Sequence, residues 1–119
     1  MHIKNIDDIE TVKIEAGKKS YRQILISEEE APNFAMRRFI IEPGGEIPNH
    51  TNSVEHEQYV LNGSARIGIG EKTFEVKRND AVFIPADVPH WYKALGDVPF
   101  EFICVVPNKP DVIKFLEMS

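Results

Sequence analysis

The chain has 119 residues, 42% of them hydrophobic and 28% charged, which fits one globular domain with a real core and excludes a disordered chain. Fourteen basic against nineteen acidic residues give a net charge of -5, and no basic stripe is present, which argues against a nucleic-acid partner. One cysteine, Cys104, cannot close an internal disulfide; no apolar run reaches membrane-spanning length and the N-terminus lacks an apolar signal core, so a cytoplasmic protein without a membrane partner is expected.

In chain order, residues 1–10 alternate Ile with Asp and Lys and read as an arm or an edge strand. Runs rich in Val, Ile, Phe and Tyr then predict strands at 11–14, 21–27, 34–41, 58–61, 65–69, 72–76, 81–84, 91–94 and 100–106. Turn residues punctuate them at Pro43-Gly44-Gly45, Asn62-Gly63, Gly70-Glu71, Arg78-Asn79-Asp80, 85–89 and 96–99. Gly70-Glu71 between two alternating runs predicts a hairpin over 65–76. Residues 111–119 read as a tail or a short helix, with Pro110 before Asp111 as a candidate cap for a helix at 111–118. Many short, evenly spaced strands predict a single all-β domain over 1–119, a sandwich or a barrel. Tyr59-Val60-Leu61 and Phe102-Ile103-Cys104-Val105-Val106 are apolar on both faces. Both faces therefore need cover, by a second copy in a homodimer or by the N-terminal arm.

Three of the four histidines, His50, His56 and His90, lie beside these strands, and neutral imidazole is the commonest protein ligand for transition metals. His50 and Asn52 are two apart and point the same way in an extended chain. Gln58 shares the His56 face and Tyr92 the His90 face, while alternation turns Glu55 and Glu57 away from His56 as a solvated pair. Phe102 and Cys104 share one face of the last strand; if that face is inward they form an apolar pocket with Val60 and Met36. Cys104 reads as inert core, and His2 as an exposed tail residue.

These segments resemble the cupin superfamily. Gly44, His50, Asn52, His56 and Gly63 fall at the positions of its first motif, and Asn79, Pro85, Asp87, His90 and Ala94 at those of its second. The resemblance implies an antiparallel jelly-roll β-barrel. His56 stands where the usual Glu ligand stands, which is similar to a subgroup of very small cupins with an all-histidine site. In that subgroup the position of Asn52 is a fourth histidine. The resemblance thus implies one divalent transition metal per chain (Fe, Mn, Zn or Ni) held by His50, His56 and His90. Asn79 and Asp87 replace glycines and are the residues best able to take their left-handed backbone.

Three neutral imidazoles leave the ion's charge uncompensated and one side open, the mark of a catalytic site. Asn52 would be a weak ligand, a hydrogen-bonding partner that orients a histidine or a bound water, or neither. Three functions compete. The first is a metal-dependent oxidoreductase of dioxygenase type acting on a small organic substrate. The second is a metal-dependent isomerase or lyase, for which Glu55, Glu57 and Tyr92 are the nearby candidate bases. The third is a non-catalytic module that binds a small molecule.

Overall fold

The structure, a computed structural model, describes residues 1–116. Ten strands follow one 3-10 turn at Ile6–Asp8: β1 Val12–Lys13, β2 Lys18–Ile26, β3 Phe34–Thr51, β4 His56–Asn62, β5 Ser64–Ile69, β6 Lys72–Lys77, β7 Ala81–Ile84, β8 His90–Leu95, β9 Phe100–Pro107 and β10 Lys114–Phe115. All pairings are antiparallel, in the order β6-β5-β8-β3-β9-β4-β7, with β1-β2 and β10 added at β3. The sheet curls on itself, giving the all-β antiparallel barrel that the sequence predicts. The expected hairpin is β5-β6, in register from Ser64↔Lys77 to Ile69↔Lys72.

β3 is the strand on which the barrel turns. Its first half pairs with β2 and β9, and its second half pairs with β8 and β10. Pro43-Gly44-Gly45 therefore does not end a strand, as its turn-like composition suggests; it bends one strand of 18 residues from one wall to the other. Gly44 has φ +82°, and a Cβ on Gly45 would lie 2.7 Å from the Lys18 carbonyl oxygen and 2.8 Å from that of Glu42. Only glycine fits where the chain crosses itself this closely. The predicted left-handed positions hold: Asn79 has φ +78° and Asp87 φ +65°.

The core is built by inward residues of alternating strands, among them Ile41, Val60, Ile67, Ile84, Phe100 and Phe102. Phe102 stacks on Phe39 on one side and Tyr92 on the other, each at 5.1 Å between ring centroids. This three-ring stack separates the packed end of the barrel from an open end that holds the histidines.

Two expectations are corrected. The segment 111–116 is not helical: Lys114 and Phe115 pair with Thr51 and His50, and the Asp111 carboxylate accepts from the Ser53 backbone N–H and not from a helix of its own. The remainder of that expected helix lies outside the described residues. Met36 does not face the pocket with Phe102. It pairs with Val105 on the outer face beside the N-terminal arm, and its neighbours Arg37 and Phe39 point inward instead. The arm covers only this corner, where the Gln23 amide donates to the Ile6 and Ile9 carbonyls. Tyr59 and Leu61 remain 47% and 37% exposed. Among the described residues no helix is long and apolar enough to cross a membrane.

Candidate metal centre

His50 lies near the end of β3, His56 opens β4 and His90 opens β8. A bulge in the β3-β8 ladder between Ile47 and His50 shifts the inward phase by one residue, so that His50 and not Asn49 faces the barrel. His50 is paired directly across from His90, with ring centroids 4.1 Å apart, and the His56 ring is 5.6 Å from that of His90. All three predicted histidines thus meet at the open end of the barrel. Among the described residues no group of three or more His, Cys, Asp or Glu donors is already drawn into metal-ligand geometry; the rings cluster without closing a cage.

The hydrogen bonds fix what the His50 and His90 rings offer. His50 Nδ1 donates to the Pro48 carbonyl at 2.8 Å and His90 Nδ1 to the Val88 carbonyl at 3.0 Å. A carbonyl oxygen only accepts, so the proton of each neutral ring sits on Nδ1 and the lone pair on Nε2. His56 Nδ1 lies 3.4 Å from the Cys104 sulfur. Burial holds all three rings neutral by lowering their proton affinity, His56 to about 3 and His90 to about 4, with the Arg37 charge adding to the effect at His56. His56 Nε2, His90 Nε2 and Asn52 Oδ1 are buried and have no hydrogen-bond partner. Buried polar atoms without partners are costly and rare in a native core. Here His90 Nε2 and Asn52 Oδ1 are lone-pair donors of types that bind divalent ions, and His56 Nε2 joins them in the tautomer whose Nδ1 proton faces the Cys104 sulfur, a donor set whose chemistry suits such a metal.

Asn52 is 4% exposed and its orientation is set from outside the cluster. Its Nδ2 donates to Asp111 Oδ2 at 2.9 Å, while Asp111 Oδ1 accepts from the Ser53 N–H. With the amide nitrogen held by a carboxylate, the amide oxygen is the free end. Gln58 donates to the Tyr92 hydroxyl at 2.6 Å, which leaves the phenol proton free to be donated elsewhere. Burial raises the Tyr92 pKa and keeps it protonated. Cys104 is a correction: it stands behind the wall under Gln58 and His56 and does not line the cavity, and burial pushes its thiol up, away from the thiolate. Glu55 and Glu57 point outward, as alternation predicts, and take no part in the pocket.

The cavity over the histidines has a volume of about 140 Å³ and is walled by Ile47, Phe39, Tyr92, Phe102 and Phe115. Sequence reasoning missed Arg22, Arg37, Phe39 and Phe115 on its wall, and Asp111, which holds the Asn52 amide from outside the cavity. For Arg37 and Phe39 a signal existed, since Ala35, Arg37, Phe39 and Ile41 alternate on one face of β3. The opposite face, with Met36 and Ile40, is equally apolar, so period alone could not choose between them.

Residues 37–106, more than half of the chain, match the family model described as Cupin domain. The chain belongs to the cupin family. This cupin is similar to the polyketide cyclase RemF from Streptomyces resistomycificus, with a TM-score of 0.90 and 27% identity over all of this chain and 87% of that one. It is 29% identical over 102 residues to acireductone dioxygenase 1 from Pectobacterium atrosepticum, covering 82% of this chain and 54% of that protein. It is also 33% identical over 73 residues to a mannose-1-phosphate guanylyltransferase from Salmonella muenchen, covering 60% of this chain and 15% of that protein. The chain thus spans about half or less of the length of the curated relatives it matches.

Proposed function

We propose that this cupin is a metal-dependent enzyme whose His50, His56 and His90 hold one divalent transition-metal ion, with the Asn52 carbonyl oxygen as a further donor. The single observation that carries the reading is the set of buried, unpartnered atoms His56 Nε2, His90 Nε2 and Asn52 Oδ1, beside a His50 ring whose Nδ1 proton is already engaged. Bound there, the ion supplies Lewis-acid polarisation of a substrate carbonyl or enolate oxygen. The protein groups do the rest. Phe39, Tyr92, Phe102 and Phe115 offer flat apolar walls to an unsaturated carbon chain and exclude water. The Tyr92 hydroxyl, already accepting from Gln58, donates a hydrogen bond to a developing oxyanion.

The substrate class is a small, oxygen-rich organic molecule, and the leading reaction is a proton-transfer or ring-closing step at a carbonyl. Support comes from the likeness to a polyketide cyclase, which extends over the full chain. An oxygen-using dioxygenase is the second reading, favoured by the similarity to acireductone dioxygenase over 102 residues. The similarity to the guanylyltransferase covers only 15% of that protein and supports no nucleotide chemistry here. We also propose that a second copy covers the apolar outer face at Tyr59 and Leu61.

The test is elemental analysis of protein purified without chelator. About one mole of Fe, Mn, Zn or Ni per chain is expected, falling sharply in His50→Ala, His56→Ala and His90→Ala while the circular dichroism spectrum stays that of a folded β-protein. Full metal in all three variants sinks the ligand assignment. Oxygen uptake by the metal-loaded protein with a polycarbonyl substrate selects the dioxygenase, oxygen-independent conversion selects the first reading, and tight binding with no product reduces the chain to a binding module.

A further inference from the structure

A second cavity, of about 290 Å³, adjoins the one over the histidines, and the two residues that line both are Arg22 and Arg37. They stand on neighbouring strands: Arg37 on β3 is paired with Cys104 of β9, and Arg22 on β2 with Phe39 of β3. Among the described residues neither forms an ion pair, although Arg38, Arg66 and Lys4 do. Arg37 Nε is buried without a hydrogen-bond partner, and the guanidinium otherwise has only the Cys104 sulfur at 3.8 Å and the Phe39 ring at 5.2 Å. A buried guanidinium N–H aimed at no acceptor is costly unless a ligand completes it.

The charge balance points the same way. The histidine cavity holds neutral imidazoles, two amides and a phenol, with no carboxylate on its lining. The nearest one, Asp111, lines the second cavity and is spent on Asn52 and Ser53, and Glu28 and Glu29 lie on the exposed side of that cavity. A divalent ion together with Arg37 would place strong, uncompensated positive charge in a largely apolar space.

We propose that the substrate is an organic carboxylate, its charged oxygens seated between Arg37 and Arg22 at the junction of the two cavities and a second oxygen function reaching the imidazoles. Arg37 provides the buried N–H and the fork geometry that suits a carboxylate. Arg22, on the exposed side, steers the anion through the mouth. The inference rests on the histidine reading only for the position of the reacting end.

The probes are 2,4-dioxo-4-phenylbutanoate and its methyl ester, which share a chelating diketone and differ in the charged group. Calorimetric titration of metal-loaded protein should show the acid bound roughly tenfold or more tighter, the size of one charge-assisted hydrogen-bond pair. Arg37→Gln should lose about that factor for the acid and leave the ester unchanged, and Arg37→Lys should recover part of it. Arg22→Gln, at an exposed position, gives the same direction with a smaller loss and stands in if Arg37→Gln melts early. Equal binding of acid and ester by the wild type, or equal loss of both in the variants, overturns the proposal. Metal content is measured on the same samples. Protein that takes up no metal even on reconstitution, yet still prefers the acid, sinks the metal reading and leaves the arginine site standing; metal-loaded protein without the preference does the reverse.

Discussion

Asp111 decides which way the Asn52 amide points. The carboxylate accepts from Nδ2 and from the Ser53 N–H, and the Ser53 hydroxyl in turn accepts from the Val112 N–H. That short network ties the C-terminal segment to the loop that carries Asn52. Removing it frees the amide to rotate. Asp111→Ala should therefore weaken metal binding about tenfold, the usual cost of losing a group that orients a ligand. Competition against a metal-sensitive dye measures it, and unchanged affinity would show Asn52 Oδ1 to be outside the donor set. The histidines themselves were legible in the sequence, because their neighbours are strand residues and their spacing resembles a known motif. Asp111 was not, because its partner lies 59 positions away and the sequence around it reads as a helix cap.

At the scale of elements, the long strand β3 does most to place the site. It carries Arg37 and Phe39 in one wall and His50 in the other, with the bend at Gly44-Gly45 between them. A Cβ at Gly45 would meet two backbone oxygens and Ile41 Cγ2 at 2.9 Å or less. Gly45→Ala should cost about 1–3 kcal/mol, as overpacked sites do, lowering the melting temperature by several degrees. Scanning calorimetry reads it directly; an unchanged transition would mean that β2 and β3 part easily at the crossing. Alternation located eight of the nine expected strands to within a few residues, since one-sided burial enforces period two, but it ended β3 at Ile41, ten residues before Thr51. It failed at 111–116, where a two-residue strand exists only because the edge of β3 is there to pair with it.

For the whole molecule, the outer face of β4 and β7 bears on assembly. Tyr59 and Phe83 are 47% and 57% exposed, and the cross-strand pairing Glu57↔Phe83 puts both on one outward face. Two large exposed rings on one face, with Glu57 between them, offer a second copy aromatic anchors to bury. Light scattering behind size exclusion should report a dimer, and Phe83→Arg should shift it to monomer with the β-sheet spectrum intact. A monomeric wild type removes the second copy as the cover.

The sequence by itself determined the class of fold, most of the strands and the three histidines that cluster, because burial period and turn geometry are local properties written into neighbouring residues. It also placed Asn79 and Asp87 in left-handed turns, a matter of single-residue sterics. Only the tertiary structure decided which face of β3 looks inward, that Cys104 stands behind the cavity while Arg37 lines it, and that the C-terminal segment folds over Asn52. Each of these depends on which distant strand supplies the partner. A two-residue period describes two faces equally well until the barrel closes and makes one of them the inside.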